Sequence, residues 1–262
     1  MTTFRSKLIN QLVLHYQPVY DINRFEAIGF EALCRLSSNS DGQLSYPSTF
    51  MPHLSMTNLI GLDLRVISKA LYALSNSQLG LVFINLDGLL YLPRKRLIKL
   101  INILHYCCNA LDIMPSQVIF EISESVSFVG RDYIYDAISH IKQYGFKLAI
   151  DDYGKENSNI VRLCTMPCDY LKIDKSITDL LIHTEFRSKA GAIIQSIKNV
   201  CSDHDIQVIC EGVETAAQHR YLVDIGQSLA QGFFYSKPIC LNKLNLVMQP
   251  TSSKPRIKMS IS

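Results

Sequence analysis

The sequence predicts an α/β fold closed into a barrel, and three observations predict it. Short apolar runs alternate with amphipathic stretches along nearly the whole chain, the pattern of parallel strands covered by helices. The length of 262 residues matches one such barrel, which takes about 250, better than it matches two domains of ordinary size. Eight polar side chains sit where apolar runs end: Glu31, Asn85, Glu121, the adjacent Asp151 and Asp152, Lys172, Glu211 and Gln231. From Asn85 onward these sites recur at intervals of about 20 to 40 residues, the length of a strand, a helix and a strand. Parallel strands repeating in this way bring their carboxyl ends to one face, and that face is where ligands bind.

The elements follow in order. A strand is expected around Leu12 to Tyr16, ahead of Gln17-Pro18, and a second from Phe25 to Leu36, interrupted at Gly29. Ile60, Leu64, Ile67, Leu71 and Leu74 recur at helical spacing, so Leu59 to Leu74 reads as a helix with one face on the core. The strand Leu81 to Leu86 precedes a helix that begins after Pro93, where proline suits a helix start. The strand Gln117 to Ile122, a helix at Tyr133 to Tyr144, the strand Phe146 to Ile150 and a short helix near Asn159 to Thr165 continue the alternation. A strand at Asp169 to Ile173, a long helix through Ala190 and Val200, the strand Ile206 to Cys210, a helix from Ala216 to Ile225 and a last strand at Gly232 to Tyr235 complete it. One domain over residues 1–250 is expected, with a flexible polar tail over 251–262.

Composition narrows the function classes. With 48% hydrophobic and 19% charged residues the chain has the make-up of a folded domain with a sizeable core. The net charge of +3 is small and the basic residues are scattered, so no nucleic-acid polymer is expected as a partner. The eight cysteines lie mostly in apolar stretches without CxxC spacing and read as buried free thiols. The seven histidines show no HExxH pattern, and neither GxGxxG nor GxxxxGK[ST] occurs, which sets aside zinc chemistry, a dinucleotide fingerprint and a P-loop. The basic run Arg94-Lys95-Arg96 reads as a solvated face at a helix start. No leader-like or membrane-spanning stretch is evident, so no membrane partner and a cytoplasmic location are expected.

The recurring polar positions carry the chemistry. Carboxylates aimed into one mouth repel each other unless a cation neutralises them. Glu31, Asn85, Glu121, Asp151, Asp152 and Glu211 are all oxygen donors, which suits Mg²⁺ or Mn²⁺. Consecutive aspartates let Asp151 bridge two ions while Asp152 reaches one, the arrangement of two-metal phosphodiester hydrolysis. Lys172 beside such ions would orient or deprotonate the attacking water, or stabilise charge on the phosphate. Singly, each residue has an ordinary explanation as a cap, turn or surface charge; recurrence at the same place in successive units is what favours a shared site.

With these segments on the page, the chain resembles the EAL-domain family of cyclic di-GMP phosphodiesterases from about Tyr16 to Pro238. The signature stands as Glu31-Ala32-Leu33 with Arg35 two further on. It is followed in order by the Asn85 strand end, EISES from Glu121, DDYG from Asp151, LKID ending at Asp174, EGVET from Glu211 and QGFFYSKPI from Gln231. The resemblance implies a modified TIM-type (β/α)8 barrel with one antiparallel strand, the first. It implies that Glu31, Asn85, Glu121 and Asp151 hold one Mg²⁺ or Mn²⁺ and that Asp151, Asp152 and Glu211 hold the second. Lys172 and Gln231 would position the hydrolytic water, so that Lys172, Glu31, Gln231 and Glu211 form the catalytic set. Gln17, Leu33, Arg35 and Gln231 would contact cyclic di-GMP, and Glu124 and Glu214 would brace the ligands from behind. The implied reaction is hydrolysis of cyclic di-GMP to linear pGpG by a homodimer. The alternative is a weak or silent EAL domain that binds cyclic di-GMP or a regulatory protein partner.

One segment departs from the family pattern. Where relatives carry DDFGTGYSS, this chain has Asp151-Asp152-Tyr153-Gly154-Lys155-Glu156-Asn157-Ser158-Asn159. Glu156 replaces a glycine, and Lys155 sets a positive charge beside the expected cations unless Glu156 pairs with it. The departure bears on metal occupancy, dimer coupling and turnover more than on dinucleotide recognition.

Overall fold

A computed structural model describes residues 11–37, 43–76, 80–124, 126, 132–155 and 160–247. The strands are β1 (Leu12–Asp21), β2 (Glu26–Ser37), β3 (Leu44–Ser45), β4 (Leu81–Asn85), β5 (Val118–Ser123), β6 (Lys147–Tyr153), β7 (Tyr170–Ile173), β8 (Gln207–Cys210) and β9 (Leu229–Ala230). The helices are α1 (Pro47–Phe50), α2 (Met56–Ser75), α3 (Arg94–Ala110), α4 (Tyr133–Gln143), α5 (Ile160–Thr165), α6 (Lys175–Asp179), α7 (Thr184–Ser202), α8 (Ala216–Asp224) and α9 (Leu241–Val247). The sheet order β1-β9-β8-β7-β6-β5-β4-β2 closes through a β1–β2 pairing, with β3 appended to β2. β1 runs antiparallel to both neighbours, whereas β2 and β4 to β9 run parallel to one another. The expected modified barrel with one reversed strand is therefore the fold.

Several boundaries differ from the sequence reading, each for a local reason. Gly29 does not interrupt β2; a Cβ there would lie 2.6 Å from Leu81 Cβ and from the Leu81 carbonyl oxygen, so glycine lets β4 approach. β1 continues through Pro18 to Asp21, because β9 covers only Tyr20 and Asp21 on that side and no ladder bond is lost at the proline. The last strand is Leu229–Ala230, not Gly232 to Tyr235. Gly232 instead packs against the Val213 backbone, where a Cβ would meet the carbonyl oxygen at 2.1 Å, and the chain turns there. Phe234 then stacks on His219 and Tyr235 meets Phe25 edge to face, rather than pairing with a strand. β6 extends beyond Ile150 to Tyr153, so the two aspartates lie within a strand.

Helix α2 begins at an N-cap, Ser55, whose side chain accepts from the Asn58 N–H, and it buries Leu62, Val66, Ile67, Leu71 and Leu74. Among the cysteines, Cys108, Cys168, Cys201 and Cys210 are buried as expected, but Cys164 and Cys240 are exposed. Arg94 pairs with Asp136 at 2.8 Å on the surface. The expected tail over 251–262 and the altered positions Glu156 to Asn159 lie outside the described residues. Among the described residues, no helix is long and apolar enough to cross a membrane.

The lumen is filled by one apolar layer: Val19, Phe83, Ile119, Ala149, Tyr170, Ile209 and Leu229 pack on one another, apart from the larger core beneath the helices. Phe83 meets Tyr170 edge to face at 5.2 Å between ring centres. Side chains alternate along a strand, so the residue two further toward the mouth faces the lumen again. Those residues are Asn85, Glu121, Asp151, Lys172, Glu211 and Gln231, with Gln17 on the reversed strand and Glu31 two beyond Gly29. A polar layer thus sits directly above an apolar one.

Candidate functional site

Lys172, at the centre of β7, organises the polar layer. It is 1% exposed, and its Nζ lies 2.7 Å from Glu121 Oε1, 2.7 Å from Glu211 Oε1, 3.0 Å from Asp151 Oδ1 and 3.3 Å from Glu31 Oε2. These four carboxylates come from β2, β5, β6 and the residue after β8, far apart in the chain. Gln231, next after β9, donates from Nε2 to Glu31 Oε2 at 2.9 Å. Gln17 faces Glu31 across the β1–β2 ladder and donates to the Ser236 carbonyl at 3.3 Å.

One ammonium cannot neutralise four carboxylates. Burial disfavours the Lys172 ammonium, yet Asp151, Glu121, Glu211 and Glu31 outweigh it and hold the group well above the ordinary lysine range. Burial pushes Glu121 well above the carboxylate range, with Lys172 opposing and Glu31 and Asp151 adding to the rise. Burial likewise raises Glu211 to about 8, against Lys172 and with Asp151 and Glu31. Glu121 Oε2 is buried with no hydrogen-bond partner among the described residues. A buried oxygen without a partner, among surplus carboxylates, is an environment that a divalent cation satisfies.

Asp151 and Asp152 both reach this centre because β6 is irregular there. Adjacent residues of a regular strand point to opposite faces. The pairing of β6 with β7 slips between Ile150 and Tyr153, and Asp152 has a φ of +59°, the left-handed region that aspartate tolerates better than most residues. Asp151, Asp152 and Glu211 each then offer an oxygen, all within 4.8 Å of one another. The residues present therefore fit hard cations: oxygen donors only, in a trio, beside a buried group of excess negative charge. Burial and Asp151 raise the Asp152 carboxyl, while Lys155, whose Nζ is 3.2 Å from Asp152 Oδ2, opposes the rise.

The other expected residues take distinct places. Asn85 lies beside Glu121 in the β4–β5 register but is exposed, and its Oδ1 accepts the Asp87 N–H at 3.1 Å; it is not among the contacts of Lys172. Leu33 is half-buried on β2, and Arg35 is buried with its guanidinium 4.8 Å over the Tyr46 ring and Nη1 donating to the Cys34 carbonyl at 2.7 Å. Glu124 accepts the Gly154 N–H at 3.4 Å, which ties the end of β5 to the turn after the two aspartates. Glu214 pairs with Lys175 at the start of α6, outside the carboxylate cluster.

Three residues escaped the sequence reading. Asp63 on α2 accepts the Leu89 N–H at 3.1 Å, and burial together with Asp87 pushes it to about 7. Asp87 accepts the Ser123 N–H at 2.9 Å and is likewise raised to about 7, chiefly by burial. Arg162 on α5 donates to the carbonyls of Ser123 and Glu124. Asp63 had a legible signal, since a charge three residues after Ile60 and four before Ile67 falls inside the apolar stripe of the helix. Asp87 and Arg162 had none, because their partners are backbone atoms remote in sequence.

Comparison with known proteins agrees with this geometry. The chain is 28% identical over 249 residues to the biofilm architecture maintenance protein MbaA of Vibrio cholerae, a match over 93% of this chain and 30% of that protein's length. It thus spans under a third of that relative. A structure described as the PaMucR phosphodiesterase in complex with c-di-GMP superposes with a TM-score of 0.77 at 27% identity, covering 93% of this chain and 98% of that one. The manganese and cyclic di-GMP complex of Klebsiella pneumoniae BlrP1 superposes with a TM-score of 0.74 at 26% identity, over 88% of this chain and 57% of that one. The profile of the EAL domain matches residues 3–238. With the signature glutamate on β2 and the carboxylates on β5, β6 and after β8 gathered at one mouth, the chain belongs to the EAL domain family.

Proposed function

We propose that the chain is a phosphodiesterase that hydrolyses cyclic di-GMP to linear pGpG with two divalent cations, Mg²⁺ or Mn²⁺. The observation that carries the reading is the surplus of carboxylates around Lys172, with a buried Glu121 oxygen lacking a partner among the described residues. Glu31, Asn85, Glu121 and Asp151 would hold one ion, and Asp151, Asp152 and Glu211 the other. When bound, the ions supply the positive charge that lowers the pKa of water and offsets charge on the phosphate. Lys172 would orient or deprotonate the attacking water, and Gln231 holds Glu31 in place through its amide. Gln17, Leu33, Arg35 and Gln231 would contact the dinucleotide, whose anionic phosphates suit the Arg35 guanidinium. Glu124 and Glu214 brace the turns after Asp152 and Glu211. The solved complexes with cyclic di-GMP and with manganese support the choice of substrate and cofactor class. A cytoplasmic homodimer is part of the same reading.

Incubation of the purified chain with Mg²⁺ or Mn²⁺ and cyclic di-GMP, with product resolved chromatographically, tests the proposal. Linear product that disappears in Glu31→Ala supports it; no product above that variant overturns it. One observation favours a second reading, a silent domain that binds the dinucleotide or a protein partner: Lys155 occupies Asp152 Oδ2 at 3.2 Å. Tight cyclic di-GMP binding without turnover would select that reading.

A further inference from the structure

Strand ends that leave their ladders at the barrel mouth need partners for their carbonyls from outside the sheet. At the end of β5 one side chain supplies them. Arg162, on α5, donates from Nη1 to the Ser123 carbonyl at 2.9 Å and the Glu124 carbonyl at 2.8 Å, and from Nη2 to the Val126 carbonyl. Ser123, Glu124 and Val126 are all buried. The same short segment is tied to both flanking strands. The Ser123 N–H donates to Asp87 just past β4 at 2.9 Å, and the Glu124 N–H donates to the Asp151 carbonyl in β6 at 3.0 Å. Glu124 also accepts the Gly154 N–H, after Asp152. Arg162 therefore grips the one segment on which the ends of β4, β5 and β6 converge, and those ends carry Asn85, Glu121, Asp151 and Asp152.

We propose that Arg162 is a positioning residue for the divalent-ion centre, fixing the β5 end so that Glu121 and the Asp151-Asp152 pair keep the spacing that ions require. The inference rests on the divalent-ion reading above. A planar guanidinium with donors in a fixed fork can hold three carbonyls at once, whereas a single ammonium on a flexible stem cannot hold them in the same geometry. Residues that orient metal ligands from behind affect affinity for the ion, and their loss typically weakens binding about 10–100-fold. Among the described residues Arg162 forms no ion pair with Glu31, Glu121, Asp151, Asp152 or Glu211, and its hydrogen bonds to the Ser123, Glu124 and Val126 carbonyls act on the backbone of the strand end.

The test titrates Mn²⁺ alone into the full chain by calorimetry for wild type, Arg162→Gln, Arg162→Lys and Arg187→Gln. Arg187 is the control, since it donates to the Leu181 carbonyl at 2.7 Å in front of α7 and so is also an arginine that grips backbone, away from β5. Arg162→Gln is expected to weaken Mn²⁺ binding by about tenfold or more, Arg162→Lys by less, and Arg187→Gln not at all, although both glutamine variants lower the melting temperature. At saturating Mn²⁺ the kcat of Arg162→Gln is expected to recover toward wild type with the KM for cyclic di-GMP unchanged. Wild-type Mn²⁺ affinity in Arg162→Gln, or an equal loss in Arg187→Gln, overturns the proposal. Should Arg162→Gln fail to fold, Arg162→Lys carries the same comparison. A wild-type chain that binds no Mn²⁺ overturns the divalent-ion reading and this inference with it, which separates the two failures.

Discussion

Two layers of one barrel lumen, a single strand repeat apart, are built in opposite ways. The lower one, with Phe83, Ile119, Tyr170 and Ile209 at its centre, is apolar and interlocked. The upper one crowds Glu31, Glu121, Asp151 and Glu211 around Lys172 and leaves polar atoms without partners among the described residues. The difference shows where strain can be held: a rigid apolar floor fixes the strand positions, so the layer above can keep like charges together that would otherwise move apart. Function and stability should therefore separate by layer, and substitutions in each layer test that separation.

The largest effect is expected in the upper layer. Lys172→Met should lower kcat about 10²–10⁴-fold, the range for a group that handles the reacting proton or water. Product formation at saturating Mn²⁺ checks it, with circular dichroism to establish that the barrel persists. Next, Phe83→Ala in the lower layer should lower unfolding free energy by about 3–5 kcal/mol, read as a shift in the urea midpoint. Its Mn²⁺ affinity should change far less than its stability, and an equal collapse of both would erase the distinction between layers. The smallest effect belongs to the rim. Lys155→Ala should change stability by no more than about 1 kcal/mol, since the pair with Asp152 is largely exposed. It should nevertheless tighten Mn²⁺ binding by releasing Asp152; unchanged affinity would show that the pair does not compete with the ion.

Much of this division was readable in the sequence. The apolar runs ending in Asn85, Glu121, Lys172 and Glu211 located strands and mouth together, because a parallel barrel places every such end on one side. The reversed first strand followed from family resemblance and not from periodicity, since alternation is blind to direction. What stayed hidden depends on contacts remote in sequence. The bulge that turns Asp152 toward Glu211 is set by pairing with β7, so the sequence places the strand end at Ile150, short of the aspartates. The stretch from Gly232 to Tyr235 has strand-like residues, but the Val213 backbone and the aromatic group around His219 claim it. The grip of Arg162 on β5 involves carbonyls, which leave no trace in side-chain pattern.

The most direct measurement is anomalous diffraction at the manganese edge from crystals grown with Mn²⁺. The account predicts two peaks at the barrel mouth, one touching Asp151, Asp152 and Glu211 and the other touching Glu31, Asn85, Glu121 and Asp151. A mouth without a peak, or a peak that these oxygens do not touch, would contradict it.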